Sequence, residues 1–156
     1  MIMKPWFLFK ISFLIVFLFS ATLSTAYAEK MTDRWRLTGF TKYRDAVFAD
    51  TSRLAYTTSG TSTIWVKIAP ASRSTYFKLI NEYLGKVNKS GREFKSIEIL
   101  CEINCSSHLI CFLDFVYLDN AGNIIHESLE TKPAWLLILQ GNIWYNVEKE
   151  ACVERK

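Results

Sequence analysis

Lys95-Ser96-Ile97-Glu98-Ile99-Leu100-Cys101-Glu102-Ile103, followed by Ile110-Cys111-Phe112-Leu113-Asp114-Phe115-Val116-Tyr117-Leu118, decides the fold. In the first run Ile97, Ile99, Cys101 and Ile103 recur at every second position, the period of a strand with one buried face. The second run reads as a strand that is apolar on both faces except at Asp114. Asp119-Asn120-Ala121-Gly122 then makes a tight turn, with glycine where positive φ is expected. Asn123-Ile124-Ile125-His126 returns as the hairpin partner. Links this short join antiparallel strands.

Upstream the pattern is the same. Arg34-Trp35-Arg36-Leu37-Thr38 alternates at period two, and Ala46-Val47-Phe48-Ala49-Asp50 is a second strand candidate, closed by a polar turn at Thr51-Ser52-Arg53. Thr57 to Ser62 holds only Thr, Ser and Gly and reads as a hairpin loop. Thr63 to Ile68 is a third strand. Ile64, Val66 and Ile68 share one of its faces, Trp65 and Lys67 the other, and Pro70 ends it because proline cannot donate to a ladder.

Two segments change period. Tyr76, Ile80, Tyr83 and Val87 follow helical spacing, joined by Phe77 and Leu84, and predict an amphipathic helix over 74–87 with Ser72 or Ser74 as its cap. Leu136 to Leu139 is a short run expected to be buried. Asn142 can cap a last helix, 143–152, whose apolar line is Ile143, Val147 and Ala151. Strands, helix, strands, helix with short links predict an α+β fold: an antiparallel sheet of about six strands, with one central and one C-terminal helix. Such a layer covers one sheet face and leaves the other toward water.

The first 28 residues read differently. Lys4 and Lys10 give a positive start, Ile11 to Phe19 an apolar run, and Ala26-Tyr27-Ala28 an A-x-A-like cleavage site. The run is short beside the roughly 20 residues of a membrane span. The expectation is a signal peptide over 1–28 and a single domain over 29–156, exported to the periplasm or the cell surface, with no integral membrane segment after cleavage. Loss of Lys4 and Lys10 leaves 17 basic residues against 15 acidic, a net +2. So small an excess does not point to nucleic acid.

All four cysteines, Cys101, Cys105, Cys111 and Cys152, lie in the mature part. In an exported chain an even count reads as disulfides, here with three connectivities. The expected pairs are Cys101–Cys152, pinning the C-terminus to the middle of the sheet, and Cys105–Cys111, closing a short loop. Chain entropy makes the long bridge worth about 4 kcal/mol and the short one about 2. The competing reading is zinc on Cys101, Cys105, His108 and Cys111. That spacing lacks the paired C-x-x-C of zinc sites, and export favours oxidation, so no metal and no cofactor are expected.

The order of landmarks carries a resemblance. Trp35, the run Ala46 to Ser52, Ile64-Trp65-Val66-Lys67, Ile97 to Cys101, Tyr117 to Gly122, Trp135 and Cys152 follow one another as in the surface-adhesin protein E family of exported bacterial proteins. The chain resembles that family over about Arg34 to Cys152. The resemblance implies a six-stranded antiparallel sheet with a C-terminal helix held to it by a disulfide. It also implies adhesion to host matrix and plasma proteins. Two departures stand out: the leader lacks a lipid-accepting cysteine, and Leu139-Gln140-Gly141-Asn142 replaces a Pro-Gly-Ser-like turn.

Catalytic chemistry has thin support. His108 and His126 are the only histidines, and both read as loop or surface residues. Asp114 is the one acid in an apolar strand; it reads as facing water, against a general acid or base of a small hydrolase. The chain is therefore expected not to be an enzyme. Among the aromatics, Phe77, Tyr83 and Trp135 read as core. Trp65 reads as lying on the helix-free face with Lys67, and Phe48 and Phe112 can join it in a binding surface. The partner is expected to be a protein, from the host matrix or the cell envelope, and free sheet edges also permit a homodimer. The alternative is a periplasmic structural or accessory subunit of an envelope complex.

Overall fold

The structure, a computed structural model, describes residues 34–87 and 91–152; the expected leader and its cleavage site lie outside the described residues. The described residues from Trp35 onward belong to one compact unit. In chain order come β1 (Trp35–Phe40), β2 (Ala46–Tyr56), β3 (Thr61–Ala69), α1 (Thr75–Val87), β4 (Phe94–Asn104), β5 (Leu109–Asp119), β6 (Ile124–Leu129), β7 (Leu136–Leu137) and α2 (Ile143–Ala151). Strands β1 to β6 lie side by side in sequence order, each antiparallel to the next. β7 pairs with the start of β5, Leu109 opposite Leu137 and Ile110 opposite Leu136.

The alternation read from sequence builds the core. Ile64, Val66 and Ile68 stand opposite Cys101, Ile99 and Ile97, and Val47 and Ala49 extend the same face into β2. All eight are buried. Both helices cover this face. α1 brings Ile80 and Leu84 into the core, with Phe77 against Phe94 and Tyr83 against Tyr117. α2 buries Val147 and Ala151 and sets Trp144 on Phe112, ring centroids 5.0 Å apart. Each fully buried aliphatic side chain contributes about 1.5–3 kcal/mol, so this layer is the main favourable term.

The helix ends follow their local sequence. Ser74 Oγ accepts the Phe77 N–H at 3.0 Å, and Asn142 Oδ1 accepts that of Trp144 at 3.4 Å. Such caps stabilise a helix by about 1 kcal/mol. α2 lies close along β1: Asn146 Nδ2 donates to Thr38 O at 3.2 Å, and Arg36 pairs with Glu150 at 2.9 Å. Gly39 makes this approach possible. Its φ is +151°, and a Cβ there would stand 3.1 Å from Ile143 Cδ1.

Several expectations are corrected. Cys105, not Cys101, bonds Cys152, and Cys101 and Cys111 are free and buried. Cys101 stands opposite Phe112 and Cys111 opposite Glu102, so the two free thiols project to opposite faces. Cys105 lies past the end of β4, where the C-terminus of α2 arrives; Cys101 is buried inside the ladder. The 51–53 turn is strand instead: β2 continues to Tyr56 through a register shift between Asp50 and Ala55. Of the 136–139 run only Ile138 is buried, while Leu136, Leu137 and Leu139 are exposed, as are Trp135 and Tyr83, both expected in the core. Asp114 does not face water; it is 8% exposed. No helix among the described residues is long and apolar enough to cross a membrane.

Candidate functional site: the helix-free sheet face

The second face of the sheet is read most simply in rows across the strands. One row runs Trp35, Asp50, Trp65, Leu100, Asp114, Leu129. The next runs Leu37, Phe48, Lys67, Glu98, Val116, Glu127. Trp65, Lys67 and Phe48 therefore share this face, as expected. Phe112 does not. β5 carries a register shift against β4 between the Leu100–Asp114 and Cys101–Phe112 pairs, which puts Phe112 and Phe115 together under the helices.

Charges order the tryptophans. The Arg53 guanidinium lies 4.8 Å from the centre of the Trp65 ring, and the Lys67 ammonium 5.6 Å from that of Trp35. Arg53 Nε also bonds Asp50 Oδ2 at 2.7 Å, and Glu98 receives Arg53 at 3.9 Å and Lys67 at 3.8 Å. Asp50 is fully buried, and its Oδ1 accepts from the Ser52 N–H and hydroxyl. Each stack contributes about 0.5–1 kcal/mol at an exposed site. What matters more is order: two large rings each lie beneath a cation on one face. Tryptophan and arginine are the side chains that dominate interface energetics.

Arg53 was not legible as part of this set, because a polar Thr-Ser-Arg triplet reads as a turn. Only the register shift after Asp50 carries it back over Trp65. Trp35 was legible as a strand residue, but its face depends on pairing with Asp50.

The other candidates are dispersed. His108 Nδ1 lies 2.8 Å from Glu148 Oε1, linking the β4–β5 turn to α2. The His126 Nε2 meets the Tyr83 hydroxyl at 3.1 Å. Asp114 Oδ1 and Glu148 Oε2 are buried without hydrogen-bond partners. The competing zinc set is split among a disulfide, a hydrogen bond and two faces, and no metal-holding group of three or more such residues exists among the described residues.

No protein-family model and no curated protein sequence matches the chain. Among solved structures it is similar to protein E of Haemophilus influenzae, with a TM-score of 0.51 at 11% identity over 76% of this chain and 83% of that one. A second crystal form gives 0.51, covering 87% of its chain, and the selenomethionine form gives 0.52 at 12% identity, covering 85%. At such identity the likeness is one of fold: this chain has a protein E-like fold.

Proposed function

We propose that the protein is an exported, non-enzymatic binding module that engages a protein partner through the helix-free sheet face around Trp35 and Trp65. The observation that carries this reading is the pair of tryptophans, each under a cation, on the face that neither helix covers. The protein E-like fold supports it, because the family resembled in sequence is one of adhesins at the bacterial surface. An intramolecular disulfide in the described domain is consistent with export. The catalytic elements needed for a hydrolase are apart, with Asp114 on the face opposite the helices and His108 against Glu148 of α2.

Two measurements test the proposal. Fractionation of intact cells locates the protein, and surface exposure is the expected result; a pool confined to the periplasm favours the envelope-subunit alternative. Binding to a panel of purified host matrix and plasma proteins is then compared for wild type and Trp65→Ala. A hot-spot tryptophan lost on truncation weakens binding about thirtyfold or more. Unchanged affinity in a variant with an unaltered melting curve removes this face from the site.

A further inference from the structure

A cavity of about 460 Å³ opens at the end of the helix-covered layer, between the β1–β2 loop and the starts of α1 and α2. That volume lies within the range of small-molecule sites. Its walls are aromatic: Phe40 and Tyr43 from the loop side, Tyr76 from α1 and Trp144 from α2. Phe40 is 62% exposed and Tyr43 45%, so these rings stand open at the rim.

Asp45 also lines this cavity and is only 1% exposed. Its Oδ2 accepts from Thr41 Oγ1 at 2.8 Å and its Oδ1 from the Ala71 N–H at 3.0 Å. Both donors are neutral, and no described cation forms an ion pair with the carboxylate. A buried, unpaired negative charge is costly unless a cation meets it. The Tyr76 hydroxyl has no hydrogen-bond partner among the described residues. Its phenol is pushed up to about 12, first by burial and then by Tyr117 and Asp45, so it stays neutral beside that carboxylate.

Aromatic side chains around a carboxylate with no ion-pair partner are a receptor for an organic cation. We infer that this cavity binds a small alkyl- or quaternary-ammonium ligand, with its methyl groups against Tyr43, Tyr76 and Trp144 and its charge opposite Asp45. The protein supplies a first instance of the contact: the Lys42 ammonium lies 5.0 Å from the centre of the Tyr43 ring. Lys42 lines the same cavity and acts there as a competing cation. An anionic ligand would gain Lys42 and the α2 N-terminus, but it would meet the buried charge of Asp45. The α2 terminus is in part satisfied by its own Asn142 cap.

The test is calorimetric titration of the mature, disulfide-intact protein with choline, with its neutral isostere 3,3-dimethylbutan-1-ol, and with benzoate. Choline binds, the isostere binds about tenfold more weakly, and benzoate does not bind, the contrast expected of a desolvated cation–π site. Lys42→Glu, a loop substitution, tightens choline several-fold, and Tyr43→Ala, also at the rim, weakens it by about fivefold or more. Asp45→Asn, checked by its melting curve, narrows the preference for choline over the isostere to what the rings alone supply. Equal affinity for choline and the isostere, no choline binding into the millimolar range, tighter binding of benzoate, or weaker choline binding by Lys42→Glu each overturns the assignment.

Discussion

Cys105 and Cys152 are bonded to each other across 47 residues, and through them the turn after β4 holds the C-terminal end of α2. His108, in the same turn, reaches Glu148 on the same helix. The opposite end of α2 is capped by Asn142 and passes close over Gly39 through Ile143, and Asn146 ties the helix to Thr38 of β1. The helix is thus fixed at both ends over one sheet face.

Removing that bond is the largest single loss expected. A closed loop of this length is worth about 4 kcal/mol in chain entropy. Cys105→Ser and Cys152→Ser are each expected to lower stability by about that much in urea denaturation, whereas Cys101→Ser leaves the bridge in place. Mapping of non-reduced peptides checks the pairing; recovery of Cys105 or Cys152 as a free thiol contradicts it.

Cys101 and Cys111 are expected to resist alkylation in the native state. Burial pushes both thiols above their ordinary value of 9.0; Cys111 adds to the rise at Cys101, and Glu102 and then Glu130 add to that at Cys111. Folded values raised above unfolded ones give stability that is present below pH 9.0 and declines as pH rises beyond it. Iodoacetamide labelling near pH 8 therefore finds no native modification and two reactive thiols after unfolding. Rapid labelling of the folded protein would refute their burial.

Asp114 is expected to cost stability where it stands. Its cross-strand neighbours are Leu100 and Leu129, and its Oδ1 has no hydrogen-bond partner. Asp114→Val removes an unsatisfied buried acid and suits a strand, for an expected gain of about 1–3 kcal/mol. A urea midpoint that falls instead would show that the carboxylate has a partner the variant has lost.

Gly39 is expected to tolerate no side chain. Alanine there combines a disfavoured φ with a contact 3.1 Å from Ile143 Cδ1, and the strained backbone alone costs about 1–3 kcal/mol. Thermal denaturation of Gly39→Ala measures the loss. An unchanged midpoint would mean that α2 does not approach β1 this closely.

The turn between β5 and β6 predicts an acid limb in stability. The Asp119 carboxylate accepts from the Asn123 N–H at 2.8 Å, from Asn123 Nδ2 at 3.2 Å and from the Ala121 N–H at 2.9 Å. These bonds, the Asn123 N–H first, hold it below its ordinary 3.8, partly opposed by desolvation. A lowered folded value means stability present above pH 3.8 and lost as pH falls through the folded value. The stability gap between wild type and Asp119→Ala should therefore be open at neutral pH and narrow as pH falls below 3.8 and through the lowered folded value. A gap that stays constant with pH would refute the role of the ionised side chain.

What the sequence determined by itself was local. The Ile97–Ile103 alternation, the Ser74 and Asn142 caps and the Asp119–Gly122 turn each depend on residues within one turn or one strand, so their chemistry is visible in order along the chain. The common face of Trp65, Lys67 and Phe48 was legible for the same reason, because period two holds inside regular strands. The tertiary structure decided everything that depends on register. The irregularity in β5 sends Phe112 beneath α2, and the one in β2 turns an apparent loop into the strand that carries Arg53 over Trp65. Cysteine pairing likewise awaited the arrival of α2 at Cys105, and the burial of Asp114 awaited its neighbours on two other strands. Register is fixed by contacts between strands distant in sequence, and a single extra residue in one strand exchanges its faces.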